Sequence, residues 1–299
     1  MKLQLLAVAA LTLLAVSGVE AQTFQVDSST NFSLSSIPGS PYSLGERLDG
    51  ELGLPFDQKG GGIDLSAHVT AALPASVAFD FDRLTFTFVY NKPATDLTSL
   101  TWTLGRFSVS EPTGLILNHP ADGSKWAFNY GNFNLTLVTA YTGFVLKSSS
   151  TLDPSLTDLN NTGVFASPRF VGSVEGSFGI FDSHEITVSA LAQQDLNNRD
   201  SFIKEWTTIQ DSTGKGGALD TQYLTLKVSG PVIDRLFYDV FGTFGSGNIL
   251  SWVADSASQT LYSYSYQPIM SYLGGASLTY FLPDFFSSSF SGRFLVASG

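Results

Sequence analysis

The sequence predicts an all-β protein, an antiparallel up-and-down transmembrane β-barrel of about 12 or more strands. Three observations carry that prediction. Large apolar residues alternate with small polar ones in segment after segment, and the connections between segments run alternately long and short. Charged residues are only 14% of the chain while aromatics reach 13%, where a soluble domain carries about a quarter charged residues. A period of two places the two sets of side chains on opposite faces of a strand.

The chain opens with an export pattern. Lys2 precedes an apolar run from Leu5 to Val16, and Val19-Glu20-Ala21 places small residues at the −3 and −1 positions of a cleavage site. This assigns residues 1–21 to a signal peptide, too short in its apolar run to span a bilayer as a helix. Residues 22–43 are Ser-rich and weakly patterned, which predicts a periplasmic lead-in with a short strand near Phe32. The barrel is expected over residues 44–299.

Leu44 to Leu54 and Ile63 to Leu73 read as strands around the Gly-rich loop Asp57–Gly62. From Val77 to Tyr90 the phase changes: Val77, Phe79 and Phe81 are odd, Leu84, Phe86, Phe88 and Tyr90 even. Such a change at Asp82-Arg83 means either a bulge in one long strand or a tight turn between two short ones. Next come Ser99–Phe107, with Leu100, Trp102 and Leu104 in phase, and Lys125–Tyr130, with Trp126, Phe128 and Tyr130. Phe133 to Gly143 continues with Phe133, Leu135, Leu137 and Tyr141.

The second half repeats the rhythm. Lys147–Ser167 is a polar loop, Pro168–Ile180 a strand, Phe181–His184 a tight connection and Glu185–Gln194 a strand. A long polar loop, Asp195–Asp220, precedes the strand Thr221–Gly230, a turn at Pro231–Asp234 and the strand Arg235–Gly245. Ser246–Tyr262 reads mostly as loop; a strand then runs to Phe281, Leu282-Pro283-Asp284 turns, and Phe286–Val296 is last. Short turns at one end and long loops at the other mark an outer-membrane barrel, with the short turns in the periplasm. Traced that way, the last strand climbs outward and ends on the wrong side, so a further strand beyond Gly299, or closure by another chain, is expected.

The row opposite the apolar one holds mostly Ser, Thr, Asn and Gly, as a water-filled lumen requires. Tyr90, Trp126, Tyr141 and Tyr280 sit near strand ends as an interfacial girdle does. The charged members of the polar row, Arg169, Glu175, Lys227, Asp239 and Arg293, are the candidate pore-lining residues. Phe237 and Phe241 are exceptions, since they share a face with Asp239.

The run Leu104-Gly105-Arg106-Phe107, a loop closing in Ala121-Asp122-Gly123, and the aromatic strand after it resemble porin-like outer-membrane barrels of Gram-negative and spirochaete type. The resemblance covers the region from Leu44 to the end and rests on short motifs. It implies that the Gly-Arg strand climbs to the outer surface and the Asp-Gly strand descends. Arg106 departs from the pattern by sharing its parity with Trp102 and Leu104. It faces the lumen only if Gly105 carries a bulge or if it sits at the membrane edge.

Catalytic signals are weak. His68, His119 and His184 are isolated, no Gly-x-Ser-x-Gly elbow exists, and Gly214-Lys215-Gly216-Gly217 lacks phosphate-loop spacing. Asp80 and Asp82 share a face without a nucleophile or orienting base nearby. With no cysteine in the chain there is no disulfide framework, thiol nucleophile or Cys-ligated metal. The formal charge of −11 argues against nucleic acid. Neither enzyme activity nor a metal or other cofactor is expected. Asp153, Asp158, Asp195, Asp200, Asp211, Asp220 and Asp255 crowd the long loops, either as solvated loop charge or to attract cations and bridge to anionic headgroups. The leading expectation is a passive pore for small solutes in the outer membrane, embedded in its lipid. A filled barrel serving as adhesin or scaffold, and a soluble secreted β-sandwich, are the alternatives.

Overall fold

The structure is a computed structural model that describes residues 23–33, 43–55, 62–72, 76–91, 96–146, 150, 163–181, 183–197, 207–208, 218–254, 261–282 and 288–298. The export pattern in residues 1–21 and most of the long loops lie outside them. The fold is all-β, antiparallel and up-and-down, with fourteen strands among the described residues, one of them only two residues long. No helix of the described residues is long and apolar enough to cross a membrane, which leaves strands untouched as a means of crossing. Two compact units divide the chain, Met1–Tyr90 with Trp102–Phe107, and Asn91–Thr101 with Ser108–Gly299.

In the first unit, β1 (Thr23–Ser33), β2 (Ser43–Pro55), β3 (Gly62–Ala72) and β4 (Ser76–Asn91) pair in chain order. β1 pairs residue for residue with β2 from Thr23↔Gly53 to Ser33↔Ser43. The segment expected as a lead-in therefore supplies a full strand. In β4 the register steps from Ser66↔Arg83 to Ala67↔Phe81, leaving Asp82 as one extra residue. The phase change is thus a bulge within a single strand, because an inserted residue flips every later side chain to the other face. Beyond it Thr85 is buried and Phe86 exposed, and the Phe88 ring packs 5.5 Å from that of Trp102 on β5 (Ser99–Ser110).

The centre of β5 resolves the Arg106 problem. Gly105 has φ 113°, and a Cβ there would collide with the Leu84 carbonyl oxygen. Only glycine tolerates that backbone at that distance. Just after it the alternation slips by one, so that Arg106 and Phe107, successive residues, are both buried before Ser108, Val109 and Ser110 alternate again. The irregularity at Gly105 turns Arg106 away from solvent despite its parity.

The second unit continues from the ends of β5 through β6 (Asn118–Tyr130), β7 (Phe133–Tyr141), β8 (Arg169–Ile180) and β9 (His184–Asp195). Then come β11 (Leu219–Ile233), β12 (Leu236–Ala254), β13 (Leu261–Leu282) and β14 (Ser288–Ala297). Two-residue β10 (Thr207–Thr208) pairs with the start of β13, whose later half pairs with β14. Several boundaries differ from expectation. The β5–β6 connection is only residues 111–117, so Ala121-Asp122-Gly123 lies inside β6 rather than closing a loop. Ser246–Ala254, expected mostly as loop despite Leu250-Ser251-Trp252, extends β12; Ser246, Gly247 and Asn248 interrupt the apolar row before it.

Short turns hold the opposite end. Gly131-Asn132 joins β6 to β7 with Gly131 at φ 63°, Phe181 begins the β8–β9 turn at φ 47°, and Asp234-Arg235 joins β11 to β12 with Arg235 at φ 69°. This last turn falls later than Pro231–Asp234, because Pro231 is still paired with Phe237 and the register slips only after it. A residue without a donor is tolerated beside such an irregularity.

The two faces of this sheet reverse the order of a soluble protein. On β9, Thr187, Ser189, Leu191, Gln193 and Asp195 are buried while Val188 is 48% exposed. On β11, Thr221 and Thr225 are buried while Leu224 is 56% and Leu226 52% exposed. Phe170, Val174 and Phe178 on β8, Phe244 on β12 and Met270, Tyr272 and Leu278 on β13 extend the exposed apolar face.

Candidate functional site

The site is built on the polar face shared by β6–β14. Antiparallel register stacks its residues in rows. One row runs Thr136, Glu175, Ser189, Thr225, Thr243 across β7, β8, β9, β11 and β12. The next holds Ser177, Thr187, Lys227, Phe241 and Gly275. The third holds Glu185, Ser229, Asp239, Ser277 and Arg293. Four of the five predicted pore-lining residues therefore fall in three consecutive rows. Arg169, the fifth, lies at the long-loop end of β8, buried and directly across from Asp195. Arg293 is on β14, whose residues are exposed or nearly so along its length.

Side-chain geometry ties the rows together. Lys227 Nζ lies 2.8 Å from an Asp239 carboxylate oxygen, and it also donates to the Pro112 carbonyl at 3.1 Å. The Thr225 and Thr243 hydroxyls meet at 2.9 Å. Pro112 belongs to the β5–β6 loop, and β6 is four strand pairings away from β11 in the sheet order. Such a contact requires the sheet from β6 to β11 to curve toward its polar face, and the loop to bend inward over that face.

The loop's shape comes from one carboxylate. Glu111, itself buried, accepts from the backbone N–H groups of Thr113 and Leu115 at 2.8 Å, from that of Ile116 at 3.2 Å, and from the Thr113 hydroxyl. Charge-assisted bonds of this kind are roughly twice as strong as neutral ones. Gly114 at φ 65° lets the chain reverse within this cradle. Nothing in the local sequence announces an inward loop, because the partner that pins it is more than a hundred residues away.

Lys125, Glu185, Glu111 and Lys227 act electrostatically on Glu175. Of these, only Lys227 was among the predicted residues. Lys125 and Glu185 were legible by parity, each alternating with an apolar neighbour, Trp126 and Ile186. Glu185 accepts from Thr187 at 3.1 Å. Ser189, directly across from Glu175, is buried and its Oγ has no hydrogen-bond partner.

The two unusual phenylalanines have separate explanations. Phe241 is buried on the polar face, its ring over Gly275, the residue paired with it on β13. Phe237 is at the turn end, 42% exposed, and meets Phe281 edge to face at 5.6 Å.

Two loop aspartates are structural. The Asp220 carboxylate accepts from the Asp195 N–H at 2.9 Å, and that of Asp195 accepts from Asn197 at 2.9 Å. They fasten the long-loop ends of β9 and β11, the role of solvated loop charge being ruled out for Asp195 by its 1% exposure. Asp153, Asp158, Asp200, Asp211 and Asp255 lie outside the described residues. His184 contacts the Tyr238 hydroxyl at 3.0 Å, and His119 is buried. Among the described residues no group of three or more His, Cys, Asp or Glu could hold a metal ion.

No family model matches this chain, and no curated protein sequence matches it. Among solved structures it is similar to OmpT, an outer membrane protein of Vibrio cholerae in its in-vitro folded trimer form. The similarity has a TM-score of 0.41 at 9% identity, over 93% of this chain and 90% of that one. A likeness of that size carries no weight for function, which has to be argued from the geometry above.

Proposed function

We propose that the chain is an outer-membrane β-barrel that passes small solutes by diffusion through a polar interior narrowed by the loop 111–117. The observation that carries this reading is the reversed sheet, with Ser, Thr and Gln buried on one face and Phe, Val, Leu, Met and Tyr exposed on the other. Contiguous apolar surface of this extent is rare on soluble monomers. Each large apolar side chain left in water forgoes roughly 1.5–3 kcal/mol. Lipid on the apolar face removes that deficit, and closure of the ladder satisfies the backbone groups that lipid cannot. The lining side chains Lys125, Glu175, Lys227 and Asp239 retain exposure, which supports a passage beside the loop.

The test is conductance of the purified mature chain in planar lipid bilayers. Stable ohmic steps are expected. A second reading, a barrel filled by its loop and used as a surface scaffold, is favoured by the near-complete burial of Ser189, Thr225 and Thr243. Silent bilayers holding a folded, protease-resistant barrel would establish that reading and end the first.

A further inference from the structure

We propose that the passage beside the inward loop favours small cations over anions, and that Glu175 is the residue setting the preference; this rests on the pore reading above. The charges around Glu175 are not equally available. Lys227 is held at 2.8 Å by Asp239, which balances its ammonium, and it donates a further N–H to the Pro112 carbonyl. The Glu111 carboxylate is enclosed by the loop amides it organises. The groups left to act on a moving ion are Glu175, Glu185 and Lys125, two carboxylates against one ammonium.

Glu175 differs from every other acid in the group. Glu111, Glu185 and Asp239 each have a hydrogen bond or ion pair, whereas no side-chain partner holds the Glu175 carboxylate among the described residues. Its neighbour across the β8–β9 pairing supplies a second, independent sign. Ser189 is 3% exposed, stands on the same face, and its Oγ is without a partner. A hydroxyl oxygen offers two lone pairs, and beyond it in the same row lie Thr225 and Thr243. A partly dehydrated cation passing Glu175 therefore meets carboxylate and hydroxyl oxygens, ligands suited to hard cations. An anion needs N–H donors at that height; Lys227 in one adjoining row already holds Asp239 and Pro112, which leaves Lys125 alone against the two carboxylates. Rings of carboxylates select cations in other channels by the same physics.

The experiment reconstitutes the full mature chain in planar bilayers under a potassium chloride gradient and reads the zero-current potential. Potassium is expected to be favoured over chloride several-fold. Glu175→Gln, which keeps the shape, should move the potential most of the way to the non-selective value. Ser189→Ala should move it less in the same direction, and Lys125→Met should raise the potassium preference. Each variant is compared at equal single-channel conductance, so that a change of bore is not read as a change of selectivity. A native channel that conducts but favours chloride, or neither ion, overturns the inference and leaves the pore reading standing. So does a Glu175→Gln channel with unchanged selectivity. Absence of any conductance overturns the pore reading, and this inference falls with it.

Discussion

At Gly105 a single residue decides where a charge goes. Its φ of 113° and the Leu84 carbonyl against its missing Cβ leave no room for a side chain. Gly105→Val should cost about 2 kcal/mol or more, from backbone strain and the forced separation of β4 and β5. The shift of the urea unfolding midpoint in lipid vesicles reads this directly, and an unshifted midpoint would mean that the positive-φ backbone at residue 105 is not required. Phe241 offers a contrast between two similar residues. Removing a buried ring seated on glycine, as in Phe241→Ala, should cost about 3 kcal/mol. Phe237→Ala loses only an exposed edge-to-face pair and should cost about 1 kcal/mol. Equal effects in the same unfolding assay would contradict the burial assigned to Phe241. Neither role was legible beforehand: parity showed that both rings shared a face with Asp239, but a glycine paired opposite one of them is a fact of register.

At the scale of elements, the loop 111–117 is an independent small structure hung between β5 and β6. Glu111 gathers its amides, and Lys227 pins it from β11. Glu111→Gln keeps the volume and removes the charge. The amides of Leu115 and Ile116 should then exchange with deuterium roughly ten-fold faster, corresponding to about 1.5 kcal/mol. Unchanged exchange at these amides, with the barrel intact, would show that neutral contacts hold the loop. Strands were easier to foresee than this loop. Strands β7, β8, β9 and β11 were legible because their alternation is a local consequence of the pleat. The end of β12 was not, since Gly245, Ser246, Gly247 and Asn248 interrupt the apolar row before Leu250 and Trp252 resume it. Thr207–Thr208 pairs with β13, far along the chain, and two residues carry no period.

For the whole molecule, the deciding question is which solvent meets the apolar face. Val188 is 48% exposed in the middle of β9. On a water-exposed sheet, Val188→Lys would change stability by no more than about 0.5 kcal/mol. In the membrane reading it places an ammonium in lipid and should cost roughly 2–4 kcal/mol near the midplane. Folding of the variant into vesicles, compared with the native chain by denaturant midpoint, checks this; a neutral result would favour the soluble alternative. Orientation follows from the turns. Protease applied to intact cells should cut within residues 147–167 or 198–217 and spare the connections at Phe181, Asp234-Arg235 and Gly131-Asn132. Cleavage confined to those short turns would invert the topology.

The all-β class, the identity of most strands and the side on which their polar residues stand are legible from the order of residues alone. These are fixed by a period of two, which each segment expresses without help from the rest. It also singled out Glu175, Lys227, Asp239 and Arg293 as one face's charges, because parity survives along an unbroken strand. Tertiary structure decided everything that depends on which strand lies beside which. The bulge at Asp82, rather than a turn, is visible only from β3, where Ser66 and Ala67 pair past it. The same holds for Ser189 beside Glu175, for Phe241 over Gly275, and for Lys227, which reaches Asp239 on the next strand and Pro112 in a distant loop. Period is a property of one segment, whereas register and inward folding are set by the pairing energy of segments far apart in the chain, which no local pattern records.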